Sequence, residues 1–356
     1  MLRYLLLPLA WLYDGVTRLR NMAFDHGWLR MRRYDVPTIA VGNLSVGGTG
    51  KTPHTEMLLD MLTPHWRTAM LSRGYGRRTK GFVRADEGRS AQEVGDEPWQ
   101  IARKFPTVQV CVCEDRCAGI ERMMQDDAPP QVIVLDDAYQ HRHVRAGRYI
   151  LLTDFARRYT HDLLLPAGRL RESRRGARRA DVIIVTKCPP DLTPEAFARI
   201  CDELRPLPHQ HVMASTLAYG TPHRLFADTS AASADDRLTA DTRLLVVTGI
   251  AHPEPLLAHL AAQGFDTTPM TFADHHDFTD SQLARMDAWL ASQDTPAAIL
   301  TTEKDAARFM AHAATLTPRL RQALWVQGIR PRLLFGMEKE LHHLILQYVT
   351  ENQRNR

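Results

Sequence analysis

Nothing in this chain stays apolar for long. The most hydrophobic stretch, from Leu2 to Tyr13, is interrupted by Arg3 and ended by Asp14, well short of the roughly 20 residues that cross a bilayer, so no spanning segment is expected there. Cysteine is scarce, with only Cys111, Cys113, Cys117, Cys188 and Cys201 in 356 residues. An odd handful in a long chain argues for a reducing compartment and against a disulfide framework. The first three have a metal-like spacing, yet Cys111 and Cys113 alternate within the strand-like run Thr107 to Cys113, so buried thiols are expected rather than a zinc site. Charge of either sign is nearly balanced, 45 basic against 41 acidic residues for a net +4, which gives no basis for a nucleic-acid partner. No internal repeat or low-complexity tract stands out, and no obligate protein partner is inferred. What remains is ample material for a core, 44% hydrophobic residues over a length that fits about two domains.

The informative stretch is Val41-Gly42-Asn43-Leu44-Ser45-Val46-Gly47-Gly48-Thr49-Gly50-Lys51-Thr52. Thr38 to Val41 reads as an apolar strand, and Pro53 to Leu62 has the apolar spacing of a helix. A strand passing through a glycine-rich turn into a helix is the setting of a phosphate loop, so Ser45, Val46, Gly47, Gly48, Thr49, Gly50, Lys51 and Thr52 are expected to bind a nucleoside triphosphate. Backbone N–H groups freed by the glycines curl round phosphate oxygens, Lys51 reaches the β and γ phosphates, and the Thr52 hydroxyl takes Mg²⁺. Ser45 stands where the common pattern has glycine, which makes the loop a variant.

Downstream the chain alternates strand and helix signals, the rhythm of a mostly parallel sheet. Arg67 to Ser72 is one strand, followed by the basic loop Arg73 to Arg78. Gln131 to Leu135 is uninterruptedly apolar, as in a strand buried on both faces, and it ends in Asp136-Asp137. A carboxylate at the end of such a strand beside a phosphate loop is placed to hold Mg²⁺. Either Asp136 or Asp137 can be that ligand, since adjacent residues of a strand point to opposite faces. Gly95-Asp96-Glu97-Pro98 precedes a helical stretch from Trp99 to Phe105, where Asp96 either caps the helix or accepts a proton. Leu163 to Ser173 is an irregular loop leading to the strand Val182 to Val185, and Thr186-Lys187 follows at a place where some nucleotide-binding folds read the base. Residues 223–242 turn polar and look like a hinge. A second α/β unit begins at Leu244, with strand-to-loop steps at Met270 to Phe278 and Ala297 to Asp305. Adjacent His275 and His276 project badly for one metal, so an acid-base role for one of them is expected instead.

The amino-terminal residues carry a separate message. Leu2, Leu5, Leu6, Leu7, Leu9, Trp11 and Leu12 open the segment, and Val16, Leu19 and Met22 continue an apolar face, with Arg3, Arg18, Arg20, Arg30, Arg32 and Arg33 around it. Such a segment can lie in the headgroup layer of an anionic membrane. A helix packed on the core and a cleaved signal peptide are the other readings, the latter weakened by the absence of a small-residue cleavage site.

Taken in order, VGNLSVGGTGKTP (41–53), SRGYGR (72–77), GDEP (95–98), LDDAYQ (135–140), LPAGRLRE (165–172), FADHH (272–276) and TEKD (302–305) resemble the tetraacyldisaccharide 4'-kinase family, the lipid A 4'-kinases of Gram-negative bacteria. The resemblance spans nearly the whole chain. Ser45 is ordinary for that family, whereas Ala138-Tyr139 replaces its usual Gly-Phe. The resemblance implies an α/β fold: a P-loop kinase domain over 31–222, a linker over 223–242 and a smaller α/β domain over 243–356 whose last helix can pack back on the first. An amphipathic membrane-surface helix over 1–30 precedes them. It implies transfer of the γ-phosphate of ATP, with Mg²⁺, to the 4'-hydroxyl of an acylated glucosamine disaccharide 1-phosphate, a lipid A precursor. The setting is the cytoplasmic face of the inner membrane, with the protein monotopic or peripheral. Lys51 would stabilise the moving phosphoryl, and Thr52 with Asp136 or Asp137 would hold Mg²⁺. Asp96, assisted by His275, would take the sugar hydroxyl proton, and Glu172 and Arg171 would shape the site. The alternative from another class is a membrane-associated P-loop regulatory ATPase, which the loop alone also fits but which would want a lysine where Val46 stands. Thr186-Lys187 alone would suit a GTP-binding chaperone.

Overall fold

The computed structural model describes residues 5–86, 88–226, 237–250, 252–273 and 276–354. Asp274 and His275 lie outside the described residues, as does half of the expected linker, residues 227–236. The chain divides into two compact units, Met1–Ala218 with Pro331–Arg356, and Tyr219–Arg330.

The first unit is organised by β1 (Thr38–Asn43), every residue of which is buried. It is flanked in parallel by β5 (Val132–Leu135) on one side and β6 (Arg148–Asp154) on the other. The chain leaves β1 through α2 (Lys51–Leu62) and enters β2 (Thr68–Ser72), which lies beyond β5 and pairs in parallel with it. The remaining strands are β3 (Val83–Arg84), β4 (Gln109–Val112), β7 (Val182–Thr186), β8 (His211–Tyr219) and β14 (Ile329–Leu333). Among the described residues the sheet order is β14-β8-β7-β6-β1-β5-β2-β4-β3. The two-residue β3 runs antiparallel to β4. β1 connects onward to β2 on one side and its neighbour β6 to β7 on the other, so the carboxyl ends of β1 and β6 form a topological switch point, where open parallel sheets bind their ligands.

Around this sheet lie α3 (Ala91–Val94), α4 (Asp96–Lys104), α5 (Arg116–Met123), α6 (Pro194–Leu204) and α11 (Glu338–Arg354). Leu341, Ile345 and Val349 of α11 are buried at helical spacing in the same apolar cluster as Ile39, Val41 and Leu58. The Tyr348 hydroxyl accepts from the Thr38 N–H at 3.1 Å, tying this last helix to the first residue of β1.

The second unit carries its own sheet in the order β11-β10-β12-β13-β9 among the described residues: β9 (His223–Arg224), β10 (Arg243–Thr248), β11 (Thr267–Thr271), β12 (Ala297–Thr302) and β13 (Leu324–Gln327). Helices α7 (Glu254–Ala262), α8 (Asp280–Ala291), α9 (Glu303–Ala311) and α10 (Pro318–Ala323) complete it. Thr302-Glu303-Lys304-Asp305 is the head of α9 rather than a loop, because the Thr302 side chain caps the helix at the Asp305 N–H.

The amino-terminal segment forms α1 (Leu7–Asp25). Leu9, Leu12, Val16 and Leu19 are 55–68% exposed along one face. The other face anchors the helix: Phe24 is fully buried, edge-on to His143, with the Arg142 guanidinium over its ring. No helix among the described residues is long and apolar enough to cross a membrane.

Candidate active site

The glycine-rich turn leaves β1 at Asn43 and enters α2 at Lys51. Gly50 caps that helix at φ +81°, a left-handed conformation that a side chain would strain. Side chains tie the turn to its surroundings. The buried His54 ring donates from Nδ1 to Gly50 O (2.7 Å) and accepts at Nε2 from Ser215 Oγ (2.9 Å), while the Asn43 amide donates to Thr49 Oγ1 at 2.7 Å. Burial pulls His54 down to about 4, so it is a neutral strut at physiological pH.

The irregular segment 163–173 lies across the turn as a clasp. Val46 N–H donates to Arg169 O (2.8 Å), and Arg171 N–H donates to Leu44 O (2.7 Å). This places Arg171 over the acid pair at the end of β5. Its guanidinium Nη1 reaches both carboxylate oxygens of Asp137 at 3.1 Å, and Lys51 Nζ approaches the same carboxylate at 3.7 Å.

The two acids stand in the turn that follows β5, not in the strand itself, and meet different surroundings. Asp136 is buried and accepts from Thr55 Oγ1 (3.0 Å) and Ser72 Oγ (3.3 Å). Its carboxyl is pushed above the usual range by burial, with the charges of Glu97 and Asp137 adding to the effect. Asp137 sits at φ +44° and faces the two cations. A Thr52 hydroxyl and two carboxylates offer only oxygen donors, the set that suits Mg²⁺ rather than a softer metal.

A cavity of about 450 Å³ opens here, bounded by Val46, Asp136, Asp137 and Arg171 on one side and by Tyr13, Thr17 and Arg20 of α1 on the other. The helix is stitched to this wall: Tyr13 OH donates to Arg171 O at 2.8 Å, and Asn21 Nδ2 donates to Glu172 Oε2 at 2.9 Å. Glu172 is buried and further held by Arg179 (2.7 Å) and Gln140 (3.1 Å), so it fixes the clasp to its surroundings. Asp96 is the first residue of α4, and the capping position belongs to Gly95; the capping alternative for Asp96 is therefore set aside. The next residue, Glu97, lines the cavity with the acid pair, a contribution the sequence reading passes over although it stands in the same GDEP motif.

Two further sequence features find their place. Tyr139 packs against Gly42, where any Cβ would come within 2.7 Å of its own. Its hydroxyl donates to Gly176 O at 2.8 Å, and Arg179 covers its ring, so the extra oxygen is bonded inside the core. Cys111, Cys113 and Cys117 are free and buried. Asp115, Cys117 and His141 bring ligand atoms within 4.8 Å of one another, but Asp115 already caps α5 and the neighbouring Arg116 cation opposes a metal there.

Fold and site together define a P-loop phosphotransferase. The family model for tetraacyldisaccharide-1-P 4'-kinase matches residues 2–350, and the chain belongs to that family. Relatives named tetraacyldisaccharide 4'-kinase include one from Bacteroides fragilis strain YCH46, 42% identical over 98% of this chain and 94% of its own length. Another, from Flavobacterium johnsoniae, is 41% identical over 99% and 98%. The crystal structure of "apo" form LpxK from Aquifex aeolicus in complex with ATP superposes with a TM-score of 0.76 at 28% identity, covering 98% of this chain and all of that one. Membership leaves no role for the regulatory-ATPase reading.

Proposed function

We propose that this chain transfers the γ-phosphate of ATP to the 4'-hydroxyl of an acylated glucosamine disaccharide 1-phosphate, in lipid A biosynthesis, working as a monotopic or peripheral protein at the cytoplasmic face of the inner membrane. The observation that carries the reading is the two-sided position of α1. Its polar residues Tyr13, Thr17 and Arg20 border the same cavity as Asp136 and Asp137, while Leu9, Leu12, Val16 and Leu19 face outward. A glycolipid whose acyl chains stay in the leaflet could present its sugar to that cavity from the side of the helix.

ATP is bound by Ser45 to Thr52, with Lys51 and Arg171 compensating charge on the moving phosphoryl. Phosphoryl transfer depends chiefly on such positioning and charge compensation. Mg²⁺ would be held by Thr52 with Asp136 or Asp137 and would supply charge neutralisation of the phosphates. The acceptor proton goes to Asp96, helped by His275, as the resemblance implies; Glu97, on the cavity wall, is the neighbour against which that assignment is tested.

The deciding experiment incubates purified protein with γ-labelled ATP and acylated disaccharide 1-phosphate and analyses the lipid fraction. Label in a 4'-phosphorylated product is expected. ATP consumption with an unlabelled lipid fraction would overturn the assignment.

A further inference from the structure

The strand next to β6 ends in two residues that the phosphotransfer reading leaves unused. Thr186 is fully buried, and its hydroxyl donates to Thr49 O at 2.9 Å. Lys187 follows at φ +56°, a left-handed conformation in a residue with a side chain. Backbone bonds fix the chain on both sides: Phe155 N–H donates to Thr186 O (2.9 Å) and Cys188 N–H to Ser215 O (2.8 Å). The unusual backbone aims the Lys187 side chain at the phosphate loop. Its ammonium donates to Gly48 O at 2.5 Å and pairs with Asp154 at the end of β6 at 3.1 Å.

Three successive carbonyls are thus engaged from outside the loop: Gly48 by Lys187, Thr49 by Thr186 and Gly50 by His54. In a planar trans peptide the carbonyl of one residue and the N–H of the next point in opposite directions. Holding these three oxygens outward therefore turns the N–H groups of Thr49, Gly50 and Lys51 the other way, the orientation an anion needs. The Thr49 N–H now bonds Gly47 O at 3.1 Å, and it is the group a phosphate oxygen must win over.

We propose that Lys187 is a positioning residue for nucleotide binding: anchored by Asp154, it fixes the Gly48 peptide so that the Thr49 amide is presented to phosphate. The cation acts on the loop rather than on the ligand, because Asp154 already balances its charge. Strain kept at a residue outside the reacting atoms has a function when the surroundings enforce it, and here the enforced conformation is what brings the ammonium to the loop. The inference rests on the reading of residues 45–52 as the ATP site.

Calorimetric titration of the full chain with ATP and Mg²⁺ tests it, using wild type, Lys187→Met, Lys187→Gly and Lys187→Arg. Lys187→Met is expected to weaken ATP binding about tenfold, the scale of a lost charge-assisted hydrogen bond, and to raise KM for ATP while KM for the glycolipid stays put. Lys187→Arg should recover much of the affinity. Lys187→Gly removes the cation but relaxes the backbone, so it should melt no lower than wild type and still bind ATP as weakly as the Met variant. Met and Gly variants that bind ATP as tightly as wild type overturn the inference and leave the ATP site standing, and so does a Gly variant whose weak binding comes with a clearly lowered melting temperature. Wild type that fails to bind ATP removes the site and the inference with it.

Discussion

Asp137 is met by Lys51 at 3.7 Å and by Arg171 at 3.1 Å, two cations that a triphosphate would also attract. Removing either should therefore cost the transition state more than the fold. Lys51→Met is expected to lower kcat by about 10²–10³-fold, the usual effect of deleting one preorganised charge contact, with the melting temperature little changed. Steady-state kinetics beside thermal melts check this. General-base catalysis is worth about 10²–10⁴-fold, so Asp96→Asn should fall in that range and Glu97→Gln well above it in residual rate. The reverse order would move the base to the cavity-lining carboxylate. Asp136 adds a pH signature. Its carboxyl titrates above the ordinary carboxylate range because it is buried near Glu97 and Asp137, so if its ionised form is needed, activity should fade on the acid side at a pH closer to neutral than a free aspartate would give. Asp136→Asn, inactive across the whole range, distinguishes that from loss of binding.

The helix α1 and the clasp over residues 163–173 work as one element pair, joined by Tyr13 to Arg171 and Asn21 to Glu172. Replacing Leu12 and Val16 together by glutamate places charge on residues 68% and 62% exposed, so folding should survive while binding to anionic vesicles falls; vesicle sedimentation with circular dichroism reads both. Undiminished sedimentation would mean that this face serves something other than lipid. The phosphate loop, the β5 acid pair and α2 were legible because strand, glycine turn and helix carry different periodicities side by side. β6 and β8 are not among the strands expected from the sequence, although Tyr149 to Leu152 is apolar and Gly147 and Gly220 adjoin the two strands. The contribution of Glu97 was hidden for a geometric reason. α4 begins at Asp96, three residues before the helical stretch expected from Trp99, so Glu97 stands inside the helix rather than in a loop ahead of it. The clasp was visible only as an irregular loop, since its pairing with the phosphate loop is non-local.

At the scale of the molecule, acid stability follows from buried neutral histidines. His54 and His141 are both held down to about 4, mainly by burial, against an ordinary 6.5. The unfolded chain therefore takes up protons that the folded chain refuses. This stabilisation is whole above pH 6.5 and is lost as pH falls from there toward 4, with His54 accounting for about 3 kcal/mol. Asp136, raised in the folded state, offsets part of the loss. Urea unfolding at pH 7.5 and pH 5 should show a lower midpoint in acid, and His54→Gln should flatten the difference. Equal midpoints would mean that the ring is charged inside the fold. Sequence could not foretell this: His54 reads as an ordinary polar residue of a helix, and its partner Ser215 is 161 residues away in the chain.

On the proposed seating of α1 against a bilayer, with the cavity on the other side of the helix, the enzyme would meet its acceptor in two dimensions. The quantity that sets its rate is then the mole fraction of glycolipid among surface lipids, not the amount per volume of buffer. Diluting the acceptor with inert phospholipid at constant bulk concentration should slow turnover, while adding more vesicles of the same composition should leave the rate per bound enzyme unchanged.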